Sequence, residues 1–122
     1  MLDQLKAMGA LAGIMKNRDK LQSSMQEVKD QMAKTEVTGR AGGGAATARV
    51  NGKLEVLSVE ISPALLNGMV ADAKTRQQAS TLIAEAVNDG IRQAQEKLHE
   101  AVQKKTRELG LPDIPGLGGL FG

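Results

Sequence analysis

The stretch ARVNGKLEVLSVEISPALL, residues 48–66, decides the fold because it predicts two antiparallel strands between two long segments of helical pattern. Asn51 and Gly52 tolerate the two positive φ angles of a type I′ turn, which places the hairpin turn at these residues. The returning strand, KLEVLSVEI, is rich in aliphatic and β-branched residues, and Ser62 and Pro63 end it. A hairpin of this kind predicts an antiparallel sheet.

The apolar phase of the returning strand shifts between Val56 and Leu57. Leu54 and Val56 point to one face of the sheet, whereas Leu57, Val59 and Ile61 point to the other. Two explanations fit this shift. Either a β-bulge lies at that point, or both faces of the strand are covered, as a homodimer would arrange.

Residues on both sides of the hairpin complete the middle of the chain. The segment TEVTGR, residues 35–40, predicts a strand, and AGGG, residues 41–44, is a flexible connection to the strand ATARV, residues 46–50. After the hairpin, PALLNG, residues 63–68, predicts a helical turn that leads into a loop. The sequence therefore predicts a three-stranded antiparallel meander.

The segment before the sheet has the pattern of an amphipathic helix with a narrow seam. The seam residues recur at steps of three and four and are Leu11, Ile14, Arg18, Leu21, Met25, Val28, Met32 and Thr35. A helix of about 30 residues would be about 45 Å long. The residues between the seam positions are mostly polar, so we expect the opposite face to lie in water.

A second long helix is predicted after the sheet. It begins between Met69 and Thr75 and ends at Gly110, which suits the left-handed position after a helix. Its apolar stripe comprises Leu82, Ile83, Ala86, Val87, Ile91, Ala94, Leu98, Ala101 and Val102. The segment NDG lies inside this period and is interpreted as helix. Its Asn88 and Asp89 either contact the sheet or a partner, or lie on a solvated face.

The chain of 122 residues is long enough for one domain and too short for two ordinary ones. We assign residues 1–110 to a single α+β domain and residues 111–122, LPDIPGLGGLFG, to a Pro- and Gly-rich apolar tail. Because Phe121 is the one aromatic residue, the core must be thin, which favours an obligate homodimer. The residues expected in the core or in a dimer contact are Val50, Leu54, Val56, Leu57, Val59, Ile61, Ile83 and Val87.

Catalytic and metal sites are not predicted. The chain contains no cysteine, which excludes disulfides and thiolate metal sites, and its one histidine, His99, lies on a charged helical stretch. The glycines of residues 39–44 differ from a phosphate-binding loop, because no Lys and Ser/Thr pair follows them. No segment has the length of a membrane span. We therefore expect no enzyme activity, cofactor, metal, small-molecule substrate or membrane partner.

Two basic clusters predict a functional surface. Their residues are Lys16, Arg18, Lys20, Lys97, Lys104, Lys105 and Arg107. If the two long helices run antiparallel, the clusters share one tip, and a homodimer doubles the patch. Such a patch suits the phosphates of double-stranded DNA, while the lack of aromatic platforms disfavours stacking on single strands. The alternative is a solvated, charged arm in which Glu100 and Lys104 form an ion pair one turn apart.

Two segments resemble one known family. EVTGRAGGGAATARVNGKLEVLSVEISPALL, residues 36–66, and AEAVNDGIRQAQEK, residues 84–97, resemble the YbaB/EbfC family of bacterial nucleoid-associated proteins. The resemblance extends from Leu5 to Leu109. It implies an αβββα protomer, a homodimer shaped like tweezers with projecting helices, and DNA binding by the long helices. Arg18 in the seam, Gly90 in the second helix and the apolar tail depart from the family pattern.

The leading hypothesis is a non-enzymatic, dimeric DNA-binding protein of the cytoplasm and nucleoid. It contacts the duplex backbone largely without sequence specificity and influences nucleoid organisation and gene expression. The alternative is a protein-interaction scaffold or holdase-like clamp that presents the apolar seam to a client. Leu21 and Met25 are examples of the adaptable side chains that suit such a role.

Overall fold

The structure, a computed structural model, describes residues 19–110. Its elements in chain order are helix α1 at residues 19–34, strand β1 at Glu36–Ala41, a 3₁₀ turn at Gly42–Gly44, strand β2 at Ala46–Asn51, strand β3 at Val56–Ile61, helix α2 at Pro63–Ala71 and helix α3 at Ala73–Glu108. The predicted α+β order of long helix, three-stranded antiparallel sheet and long helix is confirmed. The seam positions from residue 11 to residue 18 and the predicted tail at 111–122 lie outside the described residues.

The sheet has the strand order β1-β2-β3, and each neighbouring pair is antiparallel. Between β2 and β3 the register shifts, because Arg49 pairs with Ser58 while Val50 pairs with Val56. Leu57 is therefore the extra residue of a β-bulge. The bulge, which was one of the two explanations offered, accounts for the shift of apolar phase in the sequence.

The predicted type I′ turn at Asn51 and Gly52 is wrong. Neither residue has a positive φ, and the left-handed residue of the turn is Leu54, with a φ of 64°. The Leu54 N–H donates to the Asn51 carbonyl (3.0 Å), and the Asn51 N–H donates to the Glu55 carbonyl (3.0 Å). The Asn51 Oδ1 accepts hydrogen bonds from the N–H groups of Lys53 and Glu55 (3.0 and 3.1 Å). The asparagine therefore shapes the turn through its side chain.

Gly52 is required by packing and not by its φ angle. Its N–H donates to the carbonyls of Met32 and Thr35, each at 2.9 Å, and so satisfies the end of α1. A Cβ at Gly52 would lie 2.7 Å from the Met32 carbonyl oxygen. Only glycine lets the turn approach α1 so closely, and the turn thereby fixes the end of α1 to the sheet.

Helix α2 is longer than the predicted helical turn, because both of its ends are capped. The Ser62 Oγ accepts a hydrogen bond from the Leu65 N–H (3.2 Å). Pro63 occupies the first turn, where a missing N–H costs nothing. At the other end the Asp72 N–H donates to the Gly68 carbonyl (3.1 Å).

The ends of α3 match the sequence prediction. The Oδ1 of Asp72 accepts from the Lys74 N–H (2.9 Å), so that the helix begins at Ala73, inside the predicted range. After its last turn, Gly110 has a φ of 70° and donates its N–H to the Arg107 carbonyl (3.0 Å). None of the helices within residues 19–110 is both long and apolar enough to cross a membrane.

The core between the sheet and α3 is thin, as the scarcity of aromatic residues predicts. Its buried cluster comprises Ala41, Ala46, Ala48 and Ala86, with Leu82, Ile83 and Val87 packed against it. Val50 is the largest fully buried side chain of the described residues. Small side chains of this kind let the axis of α3 lie close to the sheet.

Two glycines set the distance between α3 and the sheet. A Cβ on Gly39 of β1 would fall far inside contact distance of the Ala86 carbonyl oxygen and of the Gly90 nitrogen. A Cβ on Gly90 would lie 2.6 Å from the Cγ2 of Val50. The helix runs without a break through Gly90. This glycine therefore permits the contact between helix and strand.

A second apolar cluster joins α1 to the C-terminal half of α3. It comprises Val28, Met32 and Val102, with Leu98 and Ala101 packed against it. Helix α3 lies against β1 at Gly90 and reaches Glu27 of α1 at Lys105. Moving along α3 from Gly90 to Lys105, the neighbouring residues change from Gly39 of β1 to Glu27 of α1, so the neighbouring chain runs in the opposite direction. The two long helices therefore run antiparallel and together form an arm that extends from the sheet.

Side chains of α3 close the outer edge of β1. The Asp89 Oδ2 accepts a hydrogen bond from the Arg40 N–H (3.1 Å). The Gln93 Nε2 donates to the Thr38 carbonyl (2.9 Å) and to the Asp89 Oδ2 (2.9 Å). These bonds satisfy backbone groups that an edge strand otherwise leaves open. Of the two alternatives for this segment, contact with the sheet is confirmed for Asp89, whereas Asn88 is exposed.

The variant Gly90→Ala tests the close approach of helix and strand. Helix propensity alone would stabilise this variant by about 1 kcal/mol. Contact with the buried Val50 opposes that gain, since overpacking of a core costs about 1–3 kcal/mol. We expect a lower free energy of unfolding in urea, and a larger loss for Gly39→Ala, whose Cβ meets backbone atoms.

The substitution Val50→Ala provides the control, because it removes the atom that the new Cβ of Gly90→Ala would meet. The cost of Gly90→Ala should therefore be smaller in the Val50→Ala background than in the wild type. A Gly90→Ala protein that is more stable than the wild type would contradict the packing described here.

The pH dependence of stability tests the contact of Asp89 with β1. The hydrogen bond from the Arg40 N–H lowers the pKa of Asp89 from its usual value of 3.8, and Gln93 and Arg92 lower it further. A lowered pKa in the folded state stabilises the protein above the unfolded pKa, and this stabilisation is lost as the pH falls through the folded pKa. We therefore expect Asp89→Asn to be less stable than the wild type near neutral pH. The difference should shrink below pH 3.8.

Urea unfolding over a range of acidic pH values measures this effect. Glu85→Gln is the control, because Glu85 is an exposed carboxylate on the same helix. If the loss of stability in Asp89→Asn were independent of pH, or were matched by Glu85→Gln, the ionised Asp89 would not be the source of the stabilisation.

Candidate nucleic-acid interface

An exposed basic stripe runs along α3. Lys97 and Lys104 lie seven residues apart, about two helical turns, and Arg107 follows about one turn later. The three side chains therefore share one side of the helix, and all three are exposed. Glu100 lies among them on the same side. We call Lys97, Lys104 and Arg107 the basic stripe.

The basic stripe continues the side of α3 that rests on the edge of the sheet. Gln93, whose amide donates to the Thr38 carbonyl (2.9 Å), lies one turn before Lys97 on the same side of the helix. From Gln93 onward this side of α3 leaves β1 and runs along the arm. The stripe therefore lies on the projecting part of the helix, where solvent reaches it.

Helix α1 contributes Lys20, which is exposed. Lys20 precedes Glu27 by seven residues, which is about 10 Å along a helix. Since Glu27 contacts Lys105 and the helices are antiparallel, Lys20 lies toward the same end of the arm as Arg107. The shared end that the sequence predicts is therefore present for these residues. Two further residues of the predicted site lie outside the described part of the chain, Lys16 and Arg18.

Lys105 differs from the basic stripe because carboxylates hold its ammonium group. Its Nζ lies 2.6 Å from the Oε2 of Glu27 and 3.6 Å from the Oε2 of Glu108. The hydrogen bond to Glu27 raises the pKa of Lys105 above its usual value. Lys105 therefore joins α3 to α1 in the free protein, and its charge is shared with two acids.

The residues predicted for the core or a dimer contact fall into separate groups. In the core or packed against it are Val50, Ile83 and Val87. Half-buried are Leu54 and Ile61. The exposed fractions of Val56, Leu57 and Val59 are 44%, 44% and 40%. We call these last three residues the β3 surface.

The β3 surface is exposed because α3 packs mainly on β1 and β2. Val59 pairs with Ala48, and Val56 pairs with Val50, so these side chains share the face of the sheet that forms the core. The apolar face of the sheet therefore extends beyond the part that α3 covers. It ends at a strand that has no neighbour on its outer side within residues 19–110.

Sequence reasoning did not identify Glu27 or Gln93 as interacting residues. Each is an ordinary polar residue in its local pattern. Gln93 bonds to Thr38, 55 positions away, and Glu27 bonds to Lys105 on another helix. Helical spacing reveals partners on the same helix, but contacts between elements depend on how the elements pack. No local signal in the sequence marks either residue.

The chemistry available at this surface is electrostatic. Within residues 19–110 no three His, Asp or Glu side chains are grouped so as to hold a metal ion. His99 is exposed on α3. The arm thus offers lysine and arginine side chains on a rigid helical support, an arrangement that can contact a polyanion.

Known proteins share this arrangement of elements. The model of the YbaB/EbfC DNA-binding family matches residues 8–109. The chain belongs to this family. The match covers nearly the whole segment over which the sequence resembles the family, and it includes the basic stripe of α3.

Relatives match this chain over most of their length. A nucleoid-associated protein of Bradyrhizobium diazoefficiens is 38% identical over 112 residues, which cover 92% of this chain and 99% of the relative. A nucleoid-associated protein of Pseudomonas fluorescens is 34% identical over 104 residues, covering 85% of this chain and 91% of the relative. A nucleoid-associated protein of Acinetobacter baumannii is 38% identical over 104 residues, covering 83% of this chain and 85% of the relative. These family members are bacterial.

A solved structure shows the same fold. An uncharacterized protein of Helicobacter pylori superimposes with a TM-score of 0.56 and 20% sequence identity. The match covers 70% of this chain and 93% of that protein. At this identity the likeness concerns the arrangement of helices and strands, and it adds nothing about binding.

Proposed function

We propose that this chain is a non-enzymatic DNA-binding protein of the bacterial nucleoid, which acts as a homodimer and contacts the duplex backbone largely without sequence specificity. The observation that carries the proposal is the exposed basic stripe on the arm. Membership of a DNA-binding family and the printed names of the bacterial relatives support it.

The basic stripe suits phosphates by its charge and by its position. It extends over ten residues, about 15 Å along α3, and Lys20 adds a charge at the same end of the arm. Each lysine or arginine that neutralises a phosphate releases condensed counterions, which favours binding at low salt. The carbonyl end of α3 is the negative end of the helix dipole. Phosphates therefore meet the side of the helix and not its end.

The same residues explain why binding would not depend on base sequence. Reading of bases needs side chains with directed hydrogen-bond patterns aimed at base edges in a groove. Two of the three residues in the basic stripe are lysines, which act as flexible point charges. Stacking on unpaired bases needs aromatic side chains, and the whole chain has one. Contact with the duplex backbone is therefore the mode of DNA binding that these side chains favour.

The sheet supports a homodimer through β3. Asp89 and Gln93 close the outer edge of β1, whereas β3 is the last strand and carries the exposed, apolar β3 surface. An uncovered apolar edge strand is a ready template for pairing with another strand. Two copies joined in this way would form one longer sheet and bury the β3 surface of both. The thin core of the protomer would gain thickness from the partner.

Such a dimer would hold DNA with two arms. After Gln93, which is bonded to the sheet, α3 continues for 15 residues to Glu108, or about 22 Å. Each protomer contributes one arm with one basic stripe. A pair of arms can grip one duplex or bridge two. We propose that coating or bridging of this kind influences nucleoid organisation and gene expression.

The alternative function, a clamp for protein clients, needs a free apolar seam on α1. In the described part of this seam Val28 and Met32 are buried, each with 3% exposure, and Leu21 is 36% exposed. The contact with α3 therefore occupies the seam at Val28 and Met32, and Leu21 is left as its exposed large apolar residue within residues 19–110. This observation favours the DNA proposal.

Removal of charge from the basic stripe should weaken DNA binding and its dependence on salt. Lys97→Gln combined with Lys104→Gln removes four phosphate contacts from a dimer. The slope of log K against log salt concentration should then become shallower by about 3 to 4, at 0.9 per contact. Gel-shift titration of a random-sequence duplex at several salt concentrations measures the change.

A matched variant controls for net charge. Lys53→Gln combined with Lys74→Gln removes the same charge from the hairpin turn and the start of α3, where both lysines are exposed. This variant should keep a salt slope near that of the wild type. In a separate titration, duplexes of unrelated sequence should bind the wild-type protein with equal affinity. Equal losses in the two variants, or no binding by the wild type at low salt, would refute the proposed site.

The substitution Val59→Arg should convert the dimer to a monomer, because it places a charge in the β3 surface. Sedimentation equilibrium measures the mass, and circular dichroism shows whether the variant is folded. Gln78→Arg adds the same charge at an exposed position of α3 and should remain dimeric. A folded wild-type monomer at micromolar concentration, or a Val59→Arg protein that stays dimeric, would contradict this interface.

A further inference from the structure

Lys105 is a cation of the arm that lies beside the basic stripe but is covered by an acid. Its Nζ lies 2.6 Å from Glu27 of α1, whereas Glu108 of the same helix is farther away, at 3.6 Å. The Glu27 side chain is 65% exposed, and the Lys105 side chain is 29% exposed. The exposed carboxylate of Glu27 is thus paired with the ammonium group of Lys105, the residue that follows Lys104 of the basic stripe.

A carboxylate at this position stands where a phosphate oxygen would bind. Both anions accept short, charge-assisted hydrogen bonds from an ammonium group. An ion pair with an exposed member exchanges readily, because water and salt screen it. A lysine ammonium is charged at neutral pH whether or not a carboxylate is beside it, so Lys105 can bind another anion when Glu27 moves away.

We propose that Glu27 competes with DNA phosphate for Lys105 and thereby limits the affinity of the arm for DNA. This inference rests on the proposed function and concerns regulation of the same surface. In the free protein Glu27 holds the lysine between the two helices. In the complex a phosphate replaces the carboxylate, which turns toward solvent.

The competition also makes binding less sensitive to salt. Salt weakens the contact between Lys105 and phosphate, but it weakens the contact between Lys105 and Glu27 as well. The two effects partly cancel at this lysine, whereas no such compensation operates at an uncovered lysine. Lys105 would therefore contribute less to the salt slope than the residues of the basic stripe.

A double-mutant cycle on Glu27→Gln and Lys105→Gln tests the competition. Glutamine keeps the size of the glutamate side chain and removes its charge. Dissociation constants for a random-sequence duplex are measured by fluorescence anisotropy over a range of salt concentrations. The full-length protein is used throughout.

We expect Glu27→Gln to bind DNA about tenfold more tightly at low salt, because in each protomer the contact of Lys105 with phosphate no longer has to displace a carboxylate. Its salt slope should be steeper by less than about 2, the value for two full contacts at 0.9 each, because the two salt effects at Lys105 cancel only in part in the wild type. Lys105→Gln should cost more affinity in the Glu27→Gln background than in the wild type. This inequality is the signature of competition, since Lys105 becomes fully available only when Glu27 is neutral.

Glu85→Gln is the matched control, because it removes the same charge from an exposed position of α3. If Glu27→Gln tightened binding no more than Glu85→Gln, or if Lys105→Gln cost the same affinity in both backgrounds, the competition would be overturned.

Thermal unfolding separates competition from a purely structural role. If the ion pair only stabilised the arm, Glu27→Gln would lower the midpoint of unfolding and weaken DNA binding, and that result would also overturn the inference. A wild-type protein that fails to bind duplex DNA at low salt would overturn the proposed function itself. Binding without coupling between Glu27 and Lys105 would overturn this inference alone.

Discussion

The contact between Gly39 of β1 and Gly90 of α3 is the constraint on which the rest of the structure depends. With no side chain at either position, the helix backbone lies directly against the strand, and alanines fill the remaining space. At this short distance Asp89 and Gln93 reach the outer backbone groups of β1. One contact thus places the helix and closes one edge of the sheet, while at the other edge β3 has no neighbouring strand within residues 19–110.

The position of α3 also determines where charge is exposed. The helix has 36 residues, and its sheet contact involves only the part up to Gln93. Beyond Gln93, the apolar side of α3 is buried against Val28 and Met32 of α1. The hydrogen bonds of Gly52 to the end of α1 hold α1 in this position. A pair of antiparallel helices buries one stripe of each and leaves the other faces in water. The cations of the basic stripe therefore lie on exposed faces, because the buried stripe of α3 is occupied by apolar side chains.

Periodicity in the sequence was sufficient to predict the elements and their order, since helices and strands follow local apolar spacing. The change of phase between Val56 and Leu57 left two explanations open, a β-bulge or cover on both faces, and the pairing of Val50 with Val56 identifies the bulge. The type I′ turn was wrong because the same Asn-Gly pair serves another purpose: Gly52 packs on Met32, and Leu54 takes the left-handed conformation. Gly90 departs from the family pattern, and the sequence gives no reason for it, because its reason is the packing of Val50 against the helix. The basic cluster was visible in the sequence, but the pairing of one of its lysines with an acid of α1 arises from packing.

In the proposed function, the local arrangement of charge matters more than its total. The formal net charge is only +2, because acidic residues nearly balance the 16 lysines and arginines. At physiological ionic strength the Debye length is about 8 Å, which is shorter than the arm. In the proposed complex, a duplex beside α3 would respond to the basic stripe, to Glu100 within it and to Lys20, and acids farther away on the protein would be screened from it. The acids that would matter are those beside a lysine, as Glu27 is beside Lys105. Net charge alone would therefore understate the affinity of the proposed surface for a polyanion, because it counts charges that lie more than a Debye length from the DNA.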